Sequence, residues 1–200
     1  MKELMLAPGF GLVIVAHPDD ETIWMGGTML TFPKVQWTVF SLCRSDDRDR
    51  APKFKKVMSM FGVKAIITDL EDEGIMNVDE SIPEVIKRLK ERLKTKKFQY
   101  IFTHAPNGEY GHPRHKGVHY ALRGLVQKKY VSAPCIFQFA YFRDPHLKIA
   151  LPNMRARYQL RLTPEIYKKK RYFIHFVYGF SRKSFEYRSC SKIETFNKFV

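Results

Sequence analysis

Apolar runs and helical patterns alternate along the first 145 residues of the chain. Five runs rich in β-branched and aromatic residues have the character of strands that are covered on both faces. These runs are 10–16, 35–42, 64–70, 99–104 and 135–142. The segments between them are long enough for helices. Strand and helix in alternation predict an α/β fold, in which right-handed units build a mostly parallel sheet.

Two of the intervening segments carry clear helical stripes. The longer stripe is Ile82, Val85, Ile86, Leu89 and Leu93. Ser81 followed by Glu84 has the form of a capping box, which predicts that this helix starts at Ser81. A shorter stripe lies between Phe54 and Phe61. Gly62 directly after it is a typical C-terminal residue of a helix.

The hydrophobic pattern weakens beyond residue 145. Two further runs, at 155–162 and 172–180, resemble strands, and a polar segment around Pro164 separates them. We expect the strands of this region to add an antiparallel edge to the sheet or to form a flap that faces the substrate.

Composition does not divide the chain. Apolar residues make up 44% and charged residues 28%, as in a soluble globular domain, and the chain has no Gly/Ser linker or repeat. We therefore predict one domain over residues 1–200, with a core at 1–145 and a β-rich C-terminal extension at 146–200.

The three cysteines are too scattered for a disulfide framework, and no apolar run reaches the roughly 18 residues of a transmembrane helix. These features predict a cytoplasmic protein.

Polar side chains follow the first and the fourth predicted strands. The sequence AHPDDE puts His17, Asp19 and Asp20 directly after the first strand, and GHPRH puts His112 and His115 after the fourth. The carboxyl ends of parallel strands lie at one edge of a sheet, so the two motifs can converge. Histidine and carboxylate ligands suit a divalent metal such as zinc, which activates water for attack on a carbonyl. The residues predict metal-assisted hydrolysis and leave open which aspartate and which histidine bind the metal.

The motifs AHPDDE and GHPRH, in this order and separation, resemble those of the PIG-L/LmbE-type zinc-dependent N-deacetylases. The resemblance covers most of residues 11–119. It implies a Rossmann-like, three-layer domain that holds one zinc ion per chain. The implied reaction removes the acetyl group of an N-acetylated amino-sugar conjugate, such as one of N-acetylglucosamine, with a zinc-bound water as the nucleophile.

Matched position by position, the resemblance also implies roles for individual residues. The implied zinc ligands are His17, Asp20 and His115. Asp19 would be the general base, His112 the general acid and oxyanion donor, and Arg50 would hold the substrate. The family commonly has an acidic residue where this chain has Arg114. Arg114 cannot accept the hydrogen bonds of an aspartate, so loop orientation or substrate preference is expected to differ.

Other polar residues near the strand ends have simpler interpretations. His104 is expected to lie behind the ligands or to face the substrate, and His119 is expected to lie on a helix away from the metal. The acidic segment 69–73 is interpreted as a solvated turn, and Cys43 as a packed thiol. Glu21 can either support a ligand histidine or start a helix.

Charge is distributed unevenly along the chain. There are 35 Lys and Arg against 20 Asp and Glu, for a net charge of +15, and the four successive fifties carry −2, +3, +5 and +9. The basic half predicts an anionic partner. We take this partner to be a phosphate-bearing or lipid-linked sugar conjugate that the basic run 168–171 brings in, and peripheral contact with an anionic surface fits the same charge.

Two alternative functions are compatible with parts of the sequence. Two histidines and one carboxylate can also hold iron(II) for an oxygenase. The basic half also fits a degenerate, metal-stabilised binding module for nucleic acid or another polyanion, although no nucleic-acid motif is present. The family resemblance and the spare aspartate beside the metal ligands favour the hydrolase.

Overall fold

The computed structural model describes residues 1–93 and 97–199, and its strands form one large and one small sheet. The large sheet contains β1 (Lys2–Glu3), β2 (Gly9–Val15), β3 (Val35–Cys43), β4 (Lys64–Leu70), β5 (Tyr100–Thr103), β6 (Cys135–Phe139), β9 (Tyr158–Arg161) and β10 (Ile193–Lys198). The small sheet pairs β7 (Tyr141–Arg143) with β8 (Ala150–Pro152). All five runs predicted for the core form strands, although the fifth is divided between β6 and β7.

The strand order places β2 inside the large sheet. The order is β1-β9-β10-β6-β5-β2-β3-β4, and neighbouring strands from β6 to β4 are parallel. β10 runs antiparallel to both β6 and β9, which confirms the antiparallel edge expected from the extension. β2 pairs with β3 on one side and β5 on the other, so the winding of the chain reverses at β2. Such a switch point leaves a crevice beyond the carboxyl ends of the strands.

Helices cover both faces of the large sheet. They are α1 (Asp20–Thr31), α2 (Arg50–Phe61), α3 (Val78–Arg92), α4 (Gly108–Gly111), α5 (Pro113–Gln127), α6 (Pro164–Tyr172) and α7 (Phe185–Ser189). A π-helical turn, Phe173–Val177, continues α6. Trp24 of α1 and Phe54 of α2 belong to the core on one face, and Leu89 of α3 and Leu122 of α5 to the core on the other. The predicted α/β class with a mostly parallel sheet is confirmed. None of the described helices is long and apolar enough to cross a membrane.

The start of α3 lies about one helical turn before the predicted position. The Asn77 side chain accepts a hydrogen bond from the Glu80 backbone, and the Glu80 side chain accepts one from the Asn77 backbone. These two bonds form a complete capping box. Ser81 lies further along the first turn, where its hydroxyl donates to the Val78 carbonyl. The sequence therefore holds two overlapping capping patterns, and the upstream one starts the helix.

The predicted strand at 172–180 is wrong, because the chain is helical there up to Val177. Thr163 caps α6 by accepting a hydrogen bond from the Ile166 backbone, and Pro164 occupies the first turn. The buried residues of the segment are Phe173, Ile174, Val177 and Tyr178. Their spacing places them on one side of a helix rather than on one face of a strand. Aromatic and β-branched composition favoured a strand, whereas the cap and the packing produced a helix.

A buried ion pair connects α1 to the extension. The backbone of Met25 leaves the helical region (φ −148°) and interrupts α1. Beyond the break, the N–H groups of Gly27 and Thr28 donate to the Glu194 carboxylate at 2.8 and 2.7 Å. Lys170 Nζ donates to the same carboxylate at 2.7 Å, and both side chains are fully buried. Glu194 therefore caps the second part of α1, and Lys170 balances its charge.

This ion pair corrects the interpretation of the basic run 168–171. Lys170 is fully buried, so it adds no charge to the protein surface. Lys168 and Lys169 are exposed, and Arg171 is partly exposed. The surface charge of the run therefore comes from three residues rather than four.

Candidate active site

Side chains from several strand ends surround a cavity of about 260 Å³ at the carboxyl edge of the large sheet. The candidate residues in its lining are His17, Asp19, Asp20, Arg50 and His112. His17 to Asp20 directly follow β2, and His112 precedes α5 as its N-cap. His115 is fully buried in the first turn of α5 and contacts both His17 and Asp20. The two sequence motifs therefore lie together at this edge.

Three ligand atoms form a nearly equilateral triangle. Oδ2 of Asp20 lies 3.2 Å from Nδ1 of His17 and 3.3 Å from Nε2 of His115. The two histidine nitrogens are 3.3 Å apart. Trp24 Nε1 donates to the other Asp20 oxygen at 2.9 Å, which fixes the orientation of the carboxylate. Burial opposes ionisation of Asp20, but the surrounding histidines hold its pKa well below the ordinary value.

Glu109 supports two buried histidines and was not identified from the sequence. Its Oε2 lies 2.6 Å from Nδ1 of His115 and 2.7 Å from Nδ1 of His104. The Ala16 N–H donates to Nε2 of His104, so the proton of a neutral His104 ring lies on Nδ1 and is donated to Glu109. Burial opposes ionisation, but the two histidines lower the pKa of Glu109 to about 2. The ionised carboxylate orients His115 so that its Nε2 faces Asp20.

Asp72 also lies in the site, so the solvated-turn interpretation of 69–73 is wrong at this residue. Its Oδ1 lies 3.0 Å from Nε2 of His17, and its Oδ2 accepts a hydrogen bond from Arg44 at 3.0 Å. Burial opposes ionisation, but the close His17 imidazole lowers the pKa of Asp72 to about 2. Its position after β4, at the same sheet edge as the motifs, was the available sequence signal.

Asp19 lies beside the triangle and has a strained backbone conformation. It adopts φ 116°, which is strained for a residue other than glycine. Arg50 Nη1 donates to Asp19 Oδ2 at 2.7 Å, and the Arg50 guanidinium lies over the Phe180 ring at 4.5 Å. Burial, followed by the charge of Asp20, raises the pKa of Asp19 well above the ordinary value.

Glu21 is fully buried directly behind Asp19. It accepts hydrogen bonds from the Asp19 backbone at 3.0 Å and from the Tyr178 hydroxyl at 2.8 Å. Burial raises the pKa of Glu21 to about 7. Glu21 therefore supports the backbone of Asp19 rather than a ligand histidine, and Tyr178 connects this support to the extension.

His112 faces the cavity next to the triangle. Its Nδ1 accepts a hydrogen bond from the Arg114 backbone, and its ring stacks on that of His115 at 4.8 Å. Burial, together with the nearby charges of His115 and His17, lowers the pKa of His112 to about 3. The ring is therefore neutral, with its proton on Nε2.

Several residues of the cavity lining were not identified from the sequence. These are Ile23, Trp24, Arg44, Asp47, Tyr110, Phe185 and Glu186. Phe185 and Glu186 belong to α7, so the extension forms part of the cavity wall. No sequence motif indicates Phe185 and Glu186, because they reach the cavity only through the packing of α7 against the core.

Further groups of metal-ligating side chains overlap the triangle. Ligand atoms lie within 4.8 Å of one another in His17, His112 and His115, in Asp20, His104 and His115, and in His17, Cys43 and Asp72. His119 belongs to none of these groups, since its Nδ1 lies 3.0 Å from the His104 carbonyl oxygen.

The chain matches a known protein family. Residues 12–126 match the family described as PIG-L: GlcNAc-PI de-N-acetylase. The matched stretch is more than half of the chain and contains both sequence motifs.

A curated relative and several solved structures are also similar. The uncharacterized protein L374 of Acanthamoeba polyphaga mimivirus is 25% identical over 146 residues, which are 65% of this chain and 61% of that protein. The chain thus spans less than two thirds of the length of this relative.

Among solved structures, GalB, the 4-carboxy-2-hydroxymuconate hydratase from Pseudomonas putida KT2440, has a TM-score of 0.67 at 14% identity, covering 96% of each chain. The N,N'-diacetylchitobiose deacetylase from Pyrococcus horikoshii has a TM-score of 0.58 at 16% identity, covering 91% of this chain and 70% of that one. The zinc-inhibited form of teicoplanin deacetylase Orf2 has a TM-score of 0.57 at 12% identity, covering 84% of each. At such identities the likeness shows the fold alone, and these proteins catalyse different reactions.

Proposed function

Because the chain belongs to the PIG-L family, we propose that it is a zinc-dependent hydrolase that removes the acetyl group of an N-acetylated amino-sugar conjugate. The observation that carries this proposal is the triangle of His17, Asp20 and His115 with Asp19 beside it. A metal-binding trio next to a separate carboxylate base is the arrangement that metal-assisted hydrolysis requires.

The triangle fits a zinc ion. Four tetrahedral ligands at the usual zinc distances of about 2.0–2.2 Å lie about 3.4 Å from one another. The separations among His17, Asp20 and His115 are 3.2, 3.3 and 3.3 Å. When bound, the ion supplies a water of lowered pKa and polarises the amide carbonyl. Metal analysis of the purified protein separates zinc from iron(II), which the same ligand types can hold.

Asp19 is the proposed general base. Its raised pKa suits it to take up a proton from water near neutral pH. Arg50 orients the carboxylate through the 2.7 Å hydrogen bond to Oδ2, and Glu21 holds the strained backbone from behind. Arg50 also lines the cavity, where its other nitrogens can reach a substrate oxygen.

His112 is the proposed donor to the amide. Since its Nδ1 accepts from the Arg114 backbone, its Nε2–H is available to the cavity and can stabilise the developing oxyanion. As the carbon–nitrogen bond breaks, Asp19 returns to the leaving nitrogen the proton that it took from water, while the Nε2–H of His112 stays directed at the oxygen. The products are acetate and a free amino sugar.

The proposal that the aglycone bears a phosphate or a lipid is supported by a basic and aromatic groove. Phe185 and Glu186 of α7 line the active-site cavity, whereas the next residue, Tyr187, lines a separate groove of about 300 Å³. We call this groove the α6 groove, and its further lining includes Lys168, Arg171, Arg182, Tyr172 and Phe176. Within the described residues, these three cations pair with no carboxylate. An anionic group attached to the sugar would find complementary charge there.

The α6 groove can be tested by a charge-neutral triple variant. The variant Lys168→Gln/Arg171→Gln/Arg182→Gln is expected to raise KM for a phosphate-bearing substrate by about tenfold at low salt, because screened attractions of this kind weaken with added salt. KM for a neutral N-acetylglucosamine conjugate should not change. The control Lys87→Gln/Arg92→Gln/Lys128→Gln removes the same charge from exposed positions on the opposite side of the sheet. Equal effects on both substrates would contradict the aglycone proposal.

The catalytic proposal is tested by Asp19→Asn. This variant should keep its metal, since Asp19 is outside the triangle, and should lose about 10²- to 10⁴-fold in kcat, as expected for removal of a general base. The measurement is acetate release from a panel of N-acetylated amino sugars, with metal content determined in parallel. Asp46→Asn, an exposed carboxylate in the same region, is the control. Full activity in Asp19→Asn would overturn the mechanism.

The polyanion-binding module is the remaining alternative. It predicts binding of single-stranded nucleic acid that weakens steeply with salt, and no acetate release from any member of the panel. Intact ligand and base positions favour the enzyme.

A further inference from the structure

Arg114 is a buried cation at an unusual position. It lies in the first turn of α5, between His112 and His115, and is 2% exposed. A positive charge near a helix N-terminus is unfavourable because of the helix dipole, and burial adds a desolvation cost. Such a side chain needs strong compensating contacts.

The side-chain hydrogen bonds of Arg114 go to the loop between β4 and α3. Its Nε donates to the Glu71 carbonyl at 2.6 Å, and its Nη2 donates to the Glu71 carboxylate and to the Met76 carbonyl, each at 2.6 Å. Nη1 lies 3.4 Å from the Asn77 carbonyl oxygen. Arg114 therefore connects both ends of the loop.

Glu71 extends this connection within the loop. Its carboxylate also accepts hydrogen bonds from the backbones of Glu73, Ile75 and Met76. Arg114 and Glu71 together thus hold the loop closed around a single ion pair.

The loop places Asp72 next to His17. Its carboxylate lies 3.0 Å from Nε2 of His17, whose Nδ1 belongs to the triangle. Carboxylates that bind the second nitrogen of a ligand histidine orient the ring and raise its basicity. Glu109 orients His115 in this way and is only six residues away in the sequence. Asp72 lies in a different loop from His17, so its position depends on the conformation of that loop.

We propose that Arg114 is a positioning residue, which acts on the metal site by holding the β4–α3 loop so that Asp72 orients His17. This inference rests on the proposed function, since it assumes that His17 is a metal ligand. An acidic residue at position 114 could not donate to the loop carbonyls. Arg114 therefore makes loop contacts that the acidic residue common in the family could not make.

The test is a double-mutant cycle read by metal affinity. Zinc is titrated into metal-free protein against a chromophoric chelator, for the wild type, Arg114→Ala, Asp72→Ala and the double variant. Each single variant is expected to bind zinc about 10- to 100-fold more weakly, as for other residues that support a ligand. In the Asp72→Ala background, removal of Arg114 should cost less than about twofold more, because both act through the same contact.

Two outcomes would overturn the inference: unchanged affinity in Arg114→Ala, or an effect of the same size with and without Asp72. Arg88→Ala is the matched control, since Arg88 contacts Asp69 at the end of β4 at 3.4 Å but not Asp72. If Arg114→Ala fails to fold, the milder Glu71→Gln, which keeps the carbonyl contacts, replaces it in the cycle. Failure of the wild type to bind zinc would instead contradict the proposed function.

Discussion

Two buried clusters of charged groups lie along helix α1, and they differ in what surrounds them. At the N-terminus of α1, His17, Asp19 and Asp20 line an open cavity. At the break in α1, Lys170 and Glu194 form an ion pair in which both side chains have no exposure to solvent. Glu194 is satisfied by Lys170 and by the backbone and hydroxyl donors of α1.

The difference separates an enclosed ion pair from the proposed metal site. In the Lys170–Glu194 cluster, partners are opposite in charge and enclosed, so no group is available to a ligand. In the first cluster, Asp19 and Asp20 are adjacent like charges, and three ligand atoms face one point at nearly equal distances. Adjacent like charges cost free energy, and strongly perturbed groups in a cleft are candidates for a functional site.

The sharpest contrast is expected from Asp20→Asn. The exchange keeps the shape of the side chain but removes the charge that the metal needs. We expect zinc affinity to fall by more than about 1000-fold and acetate release to fall to background, since each ligand accounts for several kcal/mol of metal binding. Far-UV circular dichroism should show an intact fold. Loss of the fold would mean that this cluster is structural as well.

Glu194→Gln is the corresponding change in the second cluster. It leaves Lys170 buried without a counter-charge, and removal of one partner of a buried pair costs about 3–5 kcal/mol. We expect this loss in the free energy of unfolding, measured with urea, while the zinc affinity of the folded protein stays within about threefold. Glu165→Gln, an exposed residue at the start of α6, should change stability by less than about 0.5 kcal/mol. Unchanged stability of Glu194→Gln would contradict the structural role of the Lys170–Glu194 pair.

The smallest expected effect is a pH dependence of zinc affinity in the first cluster. Burial opposes protonation of His17, but its contacts with the carboxylates of Asp20 and Asp72 raise its pKa to about 9. Below this pH the metal must displace a proton from His17, and the pKa of His115 is raised as well, so apparent zinc affinity should rise by at least about tenfold per pH unit from pH 7 towards 9. The pH series of chelator titrations measures this slope. Asp72→Asn should shift this rise to lower pH, and a flat profile in the wild type would contradict the protonated His17.

The sequence predicted the core strands well, because buried parallel strands need continuous apolar runs. It was less reliable where two local signals compete. Ser81 and Asn77 both begin a pattern that can cap α3, and only the geometry of the chain leaving β4 selects Asn77. Segment 172–180 has the composition of a strand, yet Thr163 starts a helix that continues to Val177.

The candidate site divides in the same way. Motif spacing predicted that His17, Asp20, His115 and their neighbours would lie together, since both motifs follow parallel strands of one sheet. It did not identify Asp72 and Glu109, which support the histidines, because a single carboxylate in a loop has no spacing that distinguishes it from a solvated residue.

The sequence by itself determined the fold class, the edge of the sheet at which the motifs meet and the identity of the chemical groups there, because periodicity and local order encode these. Only the tertiary structure decided which charges are sealed and which are open. Lys170 belongs to a basic run but is buried, and Asp72 belongs to an acidic turn but faces His17. Burial and pairing depend on residues more than twenty positions away in the chain, and no local pattern records them.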